Sequence, residues 1–267
     1  MLELHETRVH ARPRREIRDL GDGVLLYDPE DREPFWNRLG AIRWPAAAAA
    51  FDARLAEALT LFGSLDRMPH VWPRPAFNEP PDVVDRLLAA GFEDVGGGHV
   101  MVLADASRLR GSFQDPRRDP RLTVERLHRV GPAERRDELA RDVALVLCES
   151  FAVEPDRRDR IIVDTAIGLE DPEQYVTLVR LRGEPVAVAR RTTFDGVSYL
   201  SAIGTRPSFQ GLGLGRLVTA EAARDAVAAD SRWTYLGVYR DNDVAMRLYE
   251  RLGFASVGPP VPDLVLR

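Results

Sequence analysis

Apolar positions recur along this chain with two periods, and the switches between them mark out its elements. From Leu122 to Leu127 they alternate with polar residues, which predicts a strand. Residues 132–150 carry Leu139, Val143 and Leu147 on one helical stripe, and residues 157–169 form a second helical run. Residues 175–181 and 185–193 read as a hairpin around Gly183. Val197–Thr205 is β-branched and aromatic enough for a strand, which Arg206-Pro207 ends because proline cannot donate to a ladder and restricts the residue before it. Residues 214–228 are good helix formers with Leu214, Leu217 and Val218 at helical spacing. After a short apolar strand at 234–238, Ala245, Leu248, Tyr249 and Leu252 fall at i, i+3, i+4 and i+7 of a helix that Gly253 ends, and Phe254 begins a last strand. The order is β-α-α-β-β-β-α-β-α-β.

Upstream the pattern is weaker. Residues 24–27 predict a strand, and residues 46–65 a helix with Phe51, Leu55, Leu59 and Phe62 on one stripe. Val83, Val84, Leu87, Leu88, Gly91 and Phe92, followed by an apolar run at 99–103, echo Leu248, Leu252, Gly253 and Phe254 with their strand. The triple glycine at 96–98 leads into no helix and reads as a hairpin turn or bulge. The stretch from Arg110 to Arg121 is polar, holds two prolines and lacks apolar periodicity, so it reads as a linker. The boundaries predicted are a first domain at 1–112, a linker at 113–121 and a second domain at 122–267.

Composition narrows the class. The 267 residues suit one large or two small domains, and 45% hydrophobic with 30% charged residues is ordinary for a soluble globular protein. No apolar run approaches the roughly 20 residues that span a bilayer, and no signal-peptide pattern opens the chain, so no membrane partner is expected. The single cysteine, Cys148, cannot form an internal disulfide, which makes a reducing cytoplasm the natural setting. A net charge of −5 argues against nucleic acid as a partner. All 37 basic residues are arginine. With no lysine the chain has no Schiff-base chemistry and no Walker loop. The five histidines show no metal-ligand spacing, so no metal is expected.

The chemistry concentrates after the strand Val197–Thr205. Gln210, Gly211, Leu212, Gly213, Leu214, Gly215 and Arg216 form a turn with three glycines at alternate positions, opening a helix. Glycines there admit φ > 0, and unpaired N–H groups at a helix start, with the positive end of its dipole, suit a phosphate or pyrophosphate. A dinucleotide fingerprint from Gly211 needs glycine at position 216, where Arg216 stands. On the next helix Tyr249 lies two turns beyond Asn242 on the same face.

These two segments, Thr205-x-Pro207-x-x-Gln210-Gly-Leu-Gly-Leu-Gly215 and Val238-x-x-x-Asn242-x-x-Ala245-x-x-x-Tyr249-x-x-x-Gly253-Phe254, resemble the GNAT superfamily of acyl-CoA N-acyltransferases. The departures are Gln210 where arginine is commoner and Thr205 where valine is usual. The resemblance implies an α/β fold (α+β in some schemes): a twisted, mixed, mostly antiparallel sheet flanked by helices, with a second, degenerate GNAT-like domain at the N-terminus. That upstream copy lacks a cradle, and Leu87 stands where the motif has tyrosine; a small unrelated α/β domain is the alternative. The resemblance also implies acetyl-CoA as co-substrate. The amides from Gln210 to Arg216 would hold its pyrophosphate, Ile203, Gly204 and Thr205 its pantetheine arm and acyl carbonyl, and Asn242 the cofactor arm. Tyr249 would protonate the departing thiolate. The acceptor would be a primary amine on a small molecule or peptide, acetylated directly in a ternary complex, by a monomer or homodimer. Glu149 and Glu154 are candidates for the general base, beside a water relay. A non-catalytic acyl-CoA sensor, a longer acyl group and a hydroxyl acceptor are the alternatives.

Overall fold

The computed structural model describes residues 2–74, 77–110 and 119–267. The predicted linker at 113–121 therefore lies, up to residue 118, outside the described residues. Along the chain run α1 (Leu2–Ala11), β1 (Glu16–Asp19), β2 (Val24–Tyr27), β3 (Arg38–Gly40), α2 (Ala48–Ser64), β4 (His70–Val71), α3 (Val83–Ala89), β5 (Glu93–Asp94) and β6 (Gly98–Leu103). Then follow β7 (Leu122–Leu127), α4 (Ala133–Ser150), α5 (Arg158–Gly168), β8 (Gln174–Leu181), β9 (Glu184–Phe194), β10 (Val197–Thr205), α6 (Leu214–Ala228), β11 (Trp233–Tyr239), α7 (Asp243–Arg251), β12 (Phe254–Ser256) and β13 (Leu264–Val265).

Two compact units form, and they interleave in sequence: residues 1–100, 238–243 and 257–267 make the first, and residues 101–237 and 244–256 the second. The predicted boundaries at 112 and 122 are not where these units part. Residues 101–103 enter the second unit because β6 pairs antiparallel with β12, Leu103 opposite Phe254. Residues 264–265 enter the first because β13 pairs with both β4 and β5.

The first unit's sheet has the order β1-β2-β3-β4-β13-β5, mixed because β3 and β4 run parallel. Phe51, Leu55, Ala58 and Phe62 of α2 and Val83 and Leu87 of α3 pack with Leu25, Leu39, Val71 and Leu264 from the strands. Helix α1 has no apolar stripe to announce it: His5, Glu6 and His10 are among its buried positions, and Glu3 Oε1 accepts the Ala41 amide at 2.6 Å.

The second sheet has the order β12-β6-β11-β10-β9-β8-β7, with β10 and β11 parallel and β7 to β10 antiparallel. Alternation along its strands sends successive side chains to opposite faces. Val176, Leu178 and Val188 meet Leu139, Val143 and Leu147 of α4 on one face. Tyr175, Thr177 and Arg191 point to the other, under the end of α6. Helix α6 is buried along most of its length, from Leu214 and Leu217 to Ala226.

The triple glycine makes no hairpin turn. Gly98 exchanges backbone hydrogen bonds with Val261, at 2.9 and 2.7 Å, and a methyl on Gly98 would sit 2.2 Å from the Val238 carbonyl oxygen. Backbone crowding therefore selects glycine here. Gly98→Ala is expected to cost roughly 1–3 kcal/mol, the usual penalty of overpacking, read as a lowered urea midpoint at unchanged slope; an unchanged midpoint contradicts the crowding.

Candidate active site

The site grows from the end of β10. Its parallel pairing with β11 runs from Val197↔Trp233 to Leu200↔Leu236 and stops, while β10 continues to Thr205. On the β9 side the register shifts between Ser201 and Gly204, and Ala202 sits at φ 50°. The strand thus bulges where it leaves β11, carrying Ile203, Gly204 and Thr205 past the last pair. The end of α4 presses on this bulge, since a methyl on Gly204 would sit 2.7 Å from Ser150 Oγ. Ser150 Oγ and Thr205 Oγ1 are both buried and, among the described residues, without a hydrogen-bond partner.

The chain then turns into α6. Arg206 donates its amide to Val186 O at 3.0 Å, Pro207 to Phe209 make one 3₁₀ turn, and Gly211 and Gly213 take φ 79° and 77°. No heavy atom lies within 4 Å of where a methyl on either glycine would be. These two glycines therefore serve the left-handed backbone rather than a crowded contact. Gly213 occupies the cap position of α6, and no side chain caps the helix. The first-turn N–H groups, which a Ser or Asp would otherwise satisfy, stay available. Gln210 to Gly213 are exposed, with Leu212 at 59%, while Leu214 is buried and anchors the helix. A methyl on Gly215 would meet Thr205 Oγ1 at 3.3 Å and Leu248 Cδ1 at 3.8 Å, so the helix start, the end of β10 and α7 converge. Burial and the like charge of Arg251 hold the Arg216 guanidinium below its ordinary range. Positive charge therefore gathers beside the uncapped amides.

Tyr249 is 7% exposed, and burial pushes its phenol from 10 up to about 12. Its ring packs at a tilt on Phe254, with centroids 6.1 Å apart. At neutral pH it is a protonated donor. Glu149 is engaged: Arg206 Nε donates to Oε2 at 2.8 Å and Nη2 to Oε1 at 3.2 Å. Arg206 Nη1 also donates to Glu184 Oε1 at 2.6 Å, and these carboxylates, Glu149 first, hold its guanidinium above the ordinary range. Glu154 is exposed, and Cys148 is buried with its thiol pushed up by desolvation, as for an unreactive side chain. Asn242 stands just before α7 in the stretch 238–243 that groups with the first unit, its amide donating to Tyr239 O at 3.0 Å. Sequence reading missed Arg206, Ser150 and Arg251, whose neighbours in the fold lie on other elements and leave no local pattern. Among the described residues no group of three or more His, Cys, Asp or Glu is placed to hold a metal ion, and no helix is long and apolar enough to cross a membrane.

Comparison with known proteins agrees with this geometry. Residues 140–254 match the Acetyltransferase (GNAT) family. A mycothiol acetyltransferase of Nocardiopsis dassonvillei is 42% identical over 64 residues, 24% of this chain and 19% of its own. The Streptomyces avermitilis protein of the same name is 39% identical over 62 residues, 23% of this chain and 20% of its own. The match thus spans about a fifth of either curated relative's length. Among solved structures, a GCN5-related N-acetyltransferase from Kribbella flavida has a TM-score of 0.67 at 22% identity, covering 98% of this chain and 93% of that one. A tandem GNAT protein from the clavulanic acid biosynthesis pathway has a TM-score of 0.62 at 15% identity, covering 97% and 86%. The fold is that of the GNAT proteins over nearly the whole chain.

The raised phenol of Tyr249 fixes a sign. Between pH 10 and about 12 the folded chain keeps a proton that the unfolded chain has lost. The stability this group supplies is therefore complete below pH 10 and lost as pH rises through about 12. Tyr249→Phe is expected to flatten the fall in unfolding free energy across that window and to remove the matching step from an alkaline phenolate absorbance titration. Superimposable pH profiles for the two proteins contradict this.

Proposed function

We propose that this chain, whose residues 140–254 match the Acetyltransferase (GNAT) family, moves an acetyl group from acetyl-CoA to a primary amine by direct transfer. The observation that carries the reading is the open left-handed turn at Gly211 and Gly213, leading into an uncapped helix start beside a bulged strand end. Main-chain amides from Gln210 to Arg216, with the α6 dipole, would grip a pyrophosphate, no side chain capping the helix start among the described residues. Arg216 and Arg251 add the charge that a dianion wants. Ile203, Gly204 and Thr205, lying past the last β11 pair, would bond the pantetheine arm as a further strand would and turn an amide toward the acyl oxygen. The partnerless Thr205 hydroxyl fits that role, because a ligand there would supply the bond it lacks.

In the reaction an unprotonated amine attacks the thioester carbonyl, the C–N bond forms and the C–S bond breaks. Tyr249, protonated at any ordinary pH, gives its proton to the departing sulfur. The pair Glu149–Arg206 acts in positioning, fixing the strand end from which the turn departs, and the amine proton leaves to water. The curated relatives are named mycothiol acetyltransferases, and the acceptor proposed for this chain is a primary amine. The setting is cytoplasmic, the partner a small-molecule or peptide amine, and the protein a monomer or homodimer.

Two measurements test this. Gly213→Val forces a β-branched residue into a left-handed cap and is expected to abolish acetyl-CoA binding by calorimetry while leaving the fold intact by circular dichroism; unchanged affinity sinks the cradle. Tyr249→Phe is expected to lower kcat by about 10²–10⁴, the usual contribution of a positioned acid, with KM for acetyl-CoA within a few-fold. Equal turnover assigns the proton to another group.

A further inference from the structure

Arg191 is 5% exposed, on β9, and no carboxylate lies within 4 Å of it among the described residues. Its Nη1 donates to Thr193 Oγ1 at 2.6 Å, its Nε is buried without a partner, and its guanidinium carbon lies 3.9 Å from the centre of the Tyr175 ring. The other flank of Tyr175 is covered by His128, stacked at 4.0 Å and 12°. His128, just past the end of β7, with Tyr175 on β8 and Arg191 on β9, thus forms one row, Tyr175 directly opposite Arg191. The row borders an open cavity of about 310 Å³ by the last turn of α6, lined also by Arg126, Asp225, Ala228 and Ala229. This cavity lies at the opposite end of α6 from Gly213, some 20 Å away at 1.5 Å per residue.

A buried cation without a counter-ion is costly, and native structures pair such groups or leave them facing something that will. Asp225 does not serve, because Arg126 Nε holds it at 2.7 Å while Arg126 Nη2 holds Glu221 at 2.7 Å. Burial holds the Arg191 guanidinium below its ordinary range, with the Tyr175 and Asp225 charges acting the other way, yet an arginine stays charged at neutral pH. His128 Nδ1 faces Gln174 O at 3.1 Å and donates to it in the neutral tautomer, leaving Nε2 as an acceptor. Arg191, ion-paired with no carboxylate among the described residues, puts a positive charge on the wall, which suits a monoanion, while Asp225 alongside disfavours a dianion. The free volume matches the lower end of small-ligand pockets, roughly 300–1,000 Å³.

From this juxtaposition we propose that the cavity binds a small organic carboxylate, its carboxyl group on the Arg191 guanidinium and its apolar body between the His128–Tyr175 row and the Ala228–Ala229 turn. The site is separate from the acetyl-CoA cradle and does not depend on it. The test titrates sodium benzoate, with sodium acetate and inorganic phosphate as further arms at matched ionic strength, into the full chain by calorimetry and by NMR. Benzoate is expected to bind saturably, to shift the Tyr175 and His128 ring resonances, and to leave the amides of Gly211, Gly213 and Gly215 in place. In Arg191→Met, benzoate affinity is expected to fall at least tenfold, with acetyl-CoA affinity unchanged and a melting temperature equal or higher, since an unpaired buried charge is gone. Non-saturable binding, shifts at the glycine turn instead of the stacked row, equal benzoate affinity in Arg191→Met, or saturation by phosphate alone each overturn the proposal. The wild-type NMR arm decides the matter if the variant does not fold.

Discussion

The contact on which the site depends is the guanidinium of Arg206, gripped by two carboxylates. Glu149 closes it from the end of α4 and Glu184 from the start of β9, while Pro185 O accepts a further bond at 3.1 Å. Arg206 is the residue at which the strand stops and the glycine turn starts. Fixing it there ties the first helix of the second unit, the central hairpin and the turn to one point. The arginine side chain is largely buried while its carboxylate partners are part exposed, so these charge-assisted bonds chiefly hold direction. A turn built from glycines loses more freedom on ordering than any other, and rigid attachment at its upstream end offsets part of that loss.

Around that point the second unit divides its labour by helix ends. The start of α6 has bare amides and nearby cations; its end borders a pocket with a stacked aromatic row and a lone buried cation. Between them the helix is packed with alanine against the sheet, which permits close approach and keeps both ends in register with the strands beneath. The bulge in β10 and the left-handed turn are local departures from regular backbone, and both sit where a ligand would be held.

Much of this could be read from the chain. β10, the glycine turn and α6 fall where the period switch from two to three-and-a-half and the alternate glycines place them, because those signals act over neighbouring residues. The helix bearing Tyr249 and its glycine stop were equally plain. Helix α1 was not, because most of its buried side chains, His5, Glu6 and His10 beside Val9, are polar, and such a face looks the same as a solvated one. Glu149 read as a candidate base because Arg206, 57 positions downstream, leaves no trace beside it. Arg191 read as one more charge in a strand, since its isolation depends on where Arg126 draws Asp225. The triple glycine gave away its small size but not the Val261 and Val238 backbones that require it.

The insertion of β13 between β4 and β5 sets an order of events during synthesis. His70 and Asp263, whose ring nitrogen and carboxylate meet beside that strand, are 193 positions apart. Until residues 264–265 leave the ribosome, β4 and β5 present unpaired edges with a gap the width of one strand. Everything the second unit needs, up to Ser256, emerges earlier. The half made first on the ribosome is therefore the half that closes last, and a nascent chain stalled near residue 256 would carry a complete second unit and an open, association-prone first sheet.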